Sequence, residues 1–177
     1  MEGDSVNQSI FLIGFMGAGK TTIGHYLQEA LTYSCIDLDH YIEQKLHMRI
    51  PDIFKQKGED YFREIEADSL KELSNQNNII LSTGGGIIKL KRSREILKQQ
   101  YTVYLKWPFD LLFEHIKGDQ NRPLVQSYSQ LQSLFSEREH LYQESAVAII
   151  ACENKSIQQV ADEITAHFYE QRGDRLK

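Results

Sequence analysis

Five short apolar runs, at residues 9–13, 33–36, 78–81, 102–105 and 147–151, recur along the 177-residue chain, and longer segments separate them. Runs of this length and content read as strands buried on both faces. The segments 20–31, 59–74, 90–100, 108–117, 129–144 and 156–170 space their apolar residues as amphipathic helices do. Alternation of the two permits few architectures. It predicts an α/β fold with a parallel sheet flanked by helices, because parallel strands need long crossover connections. Punctuation agrees: Pro51 and Pro108 suit first helical positions, with a short helix over 51–57, Gly58 suits a helix end, and Ser156 suits an N-cap. With no internal repeat and no Pro/Gly-rich linker, the chain reads as one domain with its core at about 9–170. The polar, weakly periodic stretch 117–130 reads as a mobile loop.

Between the first strand and the first helix lies GFMGAGKTT, residues 14–22. Gly14, Gly19, Lys20 and Thr21 satisfy the phosphate-loop pattern G-x-x-x-x-G-K-[ST] in the strand–helix context its mechanism requires. The glycines let backbone N–H groups turn inward around a β-phosphate, and the helix N-terminus adds positive potential. Lys20 can reach the β- and γ-phosphates, and the Thr21 hydroxyl can ligate Mg²⁺. Nucleotide binding follows, with ATP and Mg²⁺ as the expected pair. The motif does not name the acceptor, because switches, motors and small-molecule kinases share it.

Composition narrows the partners. Lys and Arg number 20 against 25 Asp and Glu, a formal charge of −5, which argues against nucleic acid as the main partner. No apolar run approaches the roughly 18 residues that span a bilayer, and the start MEGDSVNQ lacks the basic and apolar features of a signal peptide, so no membrane association and a cytoplasmic location are expected. Cys35 and Cys152, each in or beside a predicted strand, read as small buried hydrophobes.

Four further stretches bear on the acceptor. In CIDLDHYIE, Asp37 and Asp39 are two apart after the second strand, so on an extended segment both face one space. There Asp37 can order water around Mg²⁺, and Asp39 can accept a hydrogen bond or a proton from a substrate hydroxyl. Asp39 equally suits a helix N-cap before HYIEQKL. In GEDYFREIEADSL, Arg63 sits one helical turn from Glu59, Asp60 and Glu66. In STGGGII, Gly84, Gly85 and Gly86 follow the third strand and offer backbone that a ligand can approach. Arg122 lies in the polar loop and Arg138 on the helix before the last strand. Three arginines with these carboxylates suit a small anionic polyol and a transferring phosphate.

Taken in order, GFMGAGKTT, DLD, IFKQKGEDYFREIEADSL, STGGGII, RPL and REHLYQESA resemble the shikimate kinase family from about residue 9 to about 165. The resemblance implies a nucleoside-monophosphate-kinase-like P-loop fold in three layers, with five parallel strands in the order 2-3-1-4-5. It also implies a substrate region at about 38–66 and a lid at about 112–126. The implied reaction is ATP-dependent phosphorylation of the shikimate 3-hydroxyl, giving shikimate 3-phosphate and ADP, in chorismate and aromatic amino acid biosynthesis. Shikimate would be held by Asp39, Arg63, the turn of Gly84, Gly85 and Gly86, and Arg138, with both arginines on its carboxylate. Lys20, Asp39 and Arg122 would be the catalytic groups, and Thr21 and Asp37 would serve Mg²⁺. ATP would be held by Gly17, Ala18, Gly19, Lys20, Thr21, Thr22, Arg122 and Lys155. We expect a monomer.

The family often carries arginine before the lid and after the last strand, where this chain has FEHIKGD and CENKSI. His115, Lys117, Asn154 and Lys155 are thus the candidates for adenine contacts. RPLV in place of the commoner RPLL is expected to be neutral. Gluconate kinase, a rival, would not be expected to combine the FR-x-x-E helix with the glycine triplet. A nucleotide-dependent switch is the other rival, but a GTPase needs Asn-Lys-x-Asp, and residues 154–157 place Ile157 where Asp is required.

Overall fold

A computed structural model describes residues 9–117 and 127–173. Its core is a five-stranded parallel sheet, β1 (Ile10–Ile13), β2 (Ser34–Asp37), β3 (Ile79–Ser82), β4 (Tyr101–Lys106) and β5 (Ala148–Ala151), in the order β2-β3-β1-β4-β5. Eight helices flank it among the described residues: α1 (Lys20–Leu31), α2 (Leu38–Leu46), α3 (Ile50–Lys57), α4 (Glu59–Leu73), α5 (Lys91–Lys98), α6 (Phe109–Lys117), α7 (Tyr128–Ser145) and α8 (Ile157–Gln171). None of them is long and apolar enough to cross a membrane.

The strand order is the one expected, and it decides which strands are fully covered. β1 and β3 are buried along their whole lengths, whereas the edge strands depart from the expectation of burial on both faces. β2 is half-open, and β5 alternates, leaving Ile149 48% exposed. Only the inner strands have neighbours on both sides as well as helices above and below.

Helix ends follow their capping chemistry. Ser156 caps α8 as expected, its Oγ accepting from the Gln159 N–H while Gln159 Oε1 accepts from the Ser156 N–H. Ser127 and Gln130 form the same box at α7, so Tyr128, Ser129 and Gln130 are helical and not part of a loop. Pro51 occupies the first turn of α3, Pro108 immediately precedes α6, and Gly58 ends α3 at φ 85°. α2 is the helix that periodicity alone does not predict: only Leu38 and Ile42 of its nine residues are buried, too few for a clear stripe.

Candidate active site

Both halves of the site lie at the carboxyl ends of the central strands. β1 runs into the loop Gly14–Gly19, which turns into α1 with Gly17 and Gly19 both at φ 80°. A side chain at either position would be strained in that left-handed backbone. Phe15 anchors the loop, buried with its ring edge-on to Phe135 at 5.4 Å and to Phe109 at 6.5 Å. Lys20 is also buried and donates from Nζ to the Gly14 and Phe15 carbonyls at 2.8 and 2.9 Å, which holds its ammonium across the loop.

Thr21 lies in the first turn of α1, and its Oγ1 donates to Asp37 Oδ2 at 3.0 Å and lies 3.1 Å from Ser82 Oγ. Three oxygen groups from α1, β2 and β3 therefore meet beside the phosphate loop. Asp37 and Asp39 do not share an extended segment. Asp37 ends β2 and is itself the N-cap of α2, its Oδ1 accepting from the His40 N–H at 3.1 Å, while Asp39 lies in the first helical turn. The cap pulls the chain into helix immediately after Asp37, so the helical turn, and not strand alternation, sets where Asp39 points.

The glycine triplet explains that direction. A Cβ on Gly84 would stand 3.0 Å from Asp39 Oδ1 and 3.4 Å from Glu66 Oε1, and one on Gly86 would overlap the Arg63 guanidinium. One on Gly85 would press the phosphate loop, 3.3 Å from the Met16 nitrogen. The three glycines thus let a carboxylate, a guanidinium and the phosphate loop approach one turn from three directions. The Gly85 carbonyl accepts from Arg138 Nη1 at 3.2 Å and from the Tyr142 hydroxyl.

Of the three carboxylates near Arg63 in sequence, two pair with it: Nη1 donates to Glu66 Oε2 at 2.8 Å, and Nε and Nη2 donate to Glu59 Oε1 at 3.2 Å. Lys89 closes on the same Glu59 oxygen at 2.5 Å. Glu66 is 1% exposed, and burial pushes its carboxyl up to about 7 despite the opposing pull of Arg63 and Arg138, with Asp39 adding a smaller upward push. Sequence spacing marks Glu66 only as an ion-pair partner. Its burial against Asp39, Arg63 and Arg138 makes it part of the site.

A cavity of about 240 Å³ opens on the other side of the phosphate loop, between Trp107, His115, Ile157 and Val160. Two of the four adenine candidates, His115 and Lys155, line it. Lys117 instead pairs with Glu114, and Asn154 is not among the lining residues. Trp107, the only tryptophan of the chain, is not among the candidates named from the sequence, although it follows a strand end, where open α/β sheets bind ligands. Arg122 lies outside the described residues, as does 118–126 of the expected lid.

The sequence profile described as Shikimate kinase matches residues 16–169. The chain belongs to the shikimate kinase family. It is therefore an enzyme, and the shikimate kinase of Dictyoglomus turgidum is 40% identical to it over 165 residues, 90% of this chain and 96% of that one. Among solved structures, shikimate kinase from Acinetobacter baumannii in complex with shikimate superposes with a TM-score of 0.86 at 37% identity, covering 94% of this chain and 95% of that one. A gluconokinase from Sinorhizobium meliloti superposes at 0.58 with 15% identity over 93% of each chain. That likeness reports the shared fold alone, so the shikimate kinase reading is favoured over the gluconate rival.

Proposed function

We propose that this chain transfers the γ-phosphoryl group of ATP to the 3-hydroxyl of shikimate, giving shikimate 3-phosphate and ADP, as a step toward chorismate and the aromatic amino acids. The observation that carries the reading is the contact between Gly85 and the phosphate loop, because it sets the carboxylate–arginine cluster directly against the phosphate cradle. A small acceptor bound to the cluster then lies beside the γ-phosphate.

In this reading Arg63 and Arg138 grip the shikimate carboxylate, and Asp39 accepts a hydrogen bond from the attacking hydroxyl. That hydroxyl oxygen forms the new bond to γ-phosphorus as the bond to the β–γ bridging oxygen breaks, and its proton passes to Asp39 or to solvent. Lys20, Arg122 and the N–H groups of Gly17 to Thr22 balance the charge spreading over the phosphates. Thr21 and Asp37 would hold Mg²⁺, and the oxygen-only set they form with Ser82 suits a hard cation that keeps most of its water. Bound there, Mg²⁺ supplies charge neutralisation to the β- and γ-phosphates. His115, Lys155 and Ile157 would face the base. The proposal includes a cytoplasmic monomer, and the charge of −5 supports the exclusion of nucleic acid.

Calorimetric titration tests the acceptor side. Removing one partner of a buried charge pair costs about 2–5 kcal/mol, and about 1.4 kcal/mol is tenfold in affinity. Arg63→Ala and Arg138→Ala should therefore each weaken shikimate binding by at least tenfold while ATP binding stays within about twofold. Equal losses for both ligands, or no binding of shikimate to the wild type, would contradict the reading.

A further inference from the structure

Two ring nitrogens outside the phosphate loop hold its backbone. Trp107 follows β4 directly, and its Nε1–H donates to the Ala18 carbonyl at 3.1 Å. His115 on α6 places Nδ1 3.0 Å from the Gly17 carbonyl. A carbonyl can only accept, so that nitrogen carries the proton. The two rings meet edge-to-face at 5.0 Å and 84°, each bracing the other. α6 itself leans on the loop, because a Cβ on Gly17 would stand 3.0 Å from Ile116 Cγ1 and 3.5 Å from His115 Cβ.

In a trans peptide the C=O and the following N–H point in opposite directions. Drawing the Ala18 carbonyl toward Trp107 therefore turns the Gly19 N–H the other way. The preceding peptide is pinned at both ends, by His115 on the Gly17 carbonyl and by the Ala18 N–H donating to the Phe15 carbonyl at 3.2 Å. We propose that Trp107 and His115 are positioning residues for phosphoryl transfer, locking two successive peptide planes of the phosphate loop so that the Gly19 N–H is aimed at the bound phosphates. A loop that must not reorganise as charge develops gains most from such bracing. The inference rests on the ATP reading above.

The test uses the full chain with Trp107→Phe, His115→Leu and His115→Asn, titrated with Mg-ATP and with Mg-tripolyphosphate, which has phosphates but no base. Trp107→Phe keeps an aromatic wall and loses the N–H. It should weaken both ligands by about tenfold and lower kcat, with the KM for shikimate within about twofold of wild type. His115→Leu should do the same, and His115→Asn, which keeps an N–H near the Nδ1 position, should recover most of the loss. A loss for ATP with tripolyphosphate binding unchanged would assign the rings to base contact alone and overturn the inference. So would unchanged binding in both Trp107→Phe and His115→Leu, or a shikimate KM that rises in step with that for ATP. Should Trp107→Phe fail to fold, the His115 pair decides alone. A wild-type chain that binds neither ligand would refute the ATP reading, whereas a wild type that binds and variants that match it would refute only the bracing.

Discussion

Glu66 is the residue at which burial and charge compete most directly. Its carboxyl is 1% exposed and pushed up to about 7 by burial, so the folded state favours the protonated form more than the unfolded chain does. The sign follows: this group's contribution to stability is full below its ordinary value near 4.5 and is lost as pH rises through about 7. Glu66→Gln resembles the protonated form at every pH. The wild type should accordingly lose several degrees of melting temperature relative to Glu66→Gln between pH 5 and pH 8, since a few kcal/mol is at stake at about 2–4 °C per kcal/mol. Melting curves that stay parallel across that range would contradict this placement of the carboxylate. Of the two cysteines expected to be buried, Cys152 is buried and Cys35 only half-buried; burial raises both thiols, Cys152 to about 12, which favours the protonated form.

At the scale of elements, the turn after β3 does more than end a strand. Gly86 gives Arg63 the space to lie between that turn and Glu66. Gly86→Ala places a methyl where the guanidinium sits, and because the end of an arginine is flexible, the guanidinium should move and the fold should survive. Shikimate affinity should fall at least tenfold, as for Arg63→Ala, with ATP affinity and far-ultraviolet circular dichroism unchanged; retained shikimate affinity would mean that Arg63 does not grip the substrate. The strands, the phosphate loop and the glycine triplet were legible because each writes a strong local signal, whether an apolar run, a fixed spacing or three glycines together. α2 was not, because a nine-residue helix with two buried positions leaves almost no periodicity, and the extended segment expected to carry both Asp37 and Asp39 ends at Asp37, which closes β2 and caps α2. Trp107, Glu66 and Tyr142 contribute through contacts with residues distant in sequence, except for the Glu66–Arg63 pair, and no local pattern announces such contacts.

For the molecule as a whole, the sheet order decides where chemistry can occur. β1 lies between β3 and β4, so the phosphate loop that leaves its carboxyl end is flanked by the glycine turn after β3 on one side and by Trp107 after β4 on the other. The carboxylate–arginine cluster and the cavity lined by Trp107 thereby lie on opposite sides of one loop, and the proposed in-line transfer from nucleotide to acceptor would use that arrangement. The most direct test of the account is a coupled ADP-release assay on the full chain with Mg-ATP and, in turn, shikimate, quinate, gluconate or no acceptor. Rapid ADP release is expected with shikimate, accompanied by one shikimate monophosphate ester, with near-background rates for the others. ADP release that is indifferent to shikimate, or faster with gluconate, would contradict it.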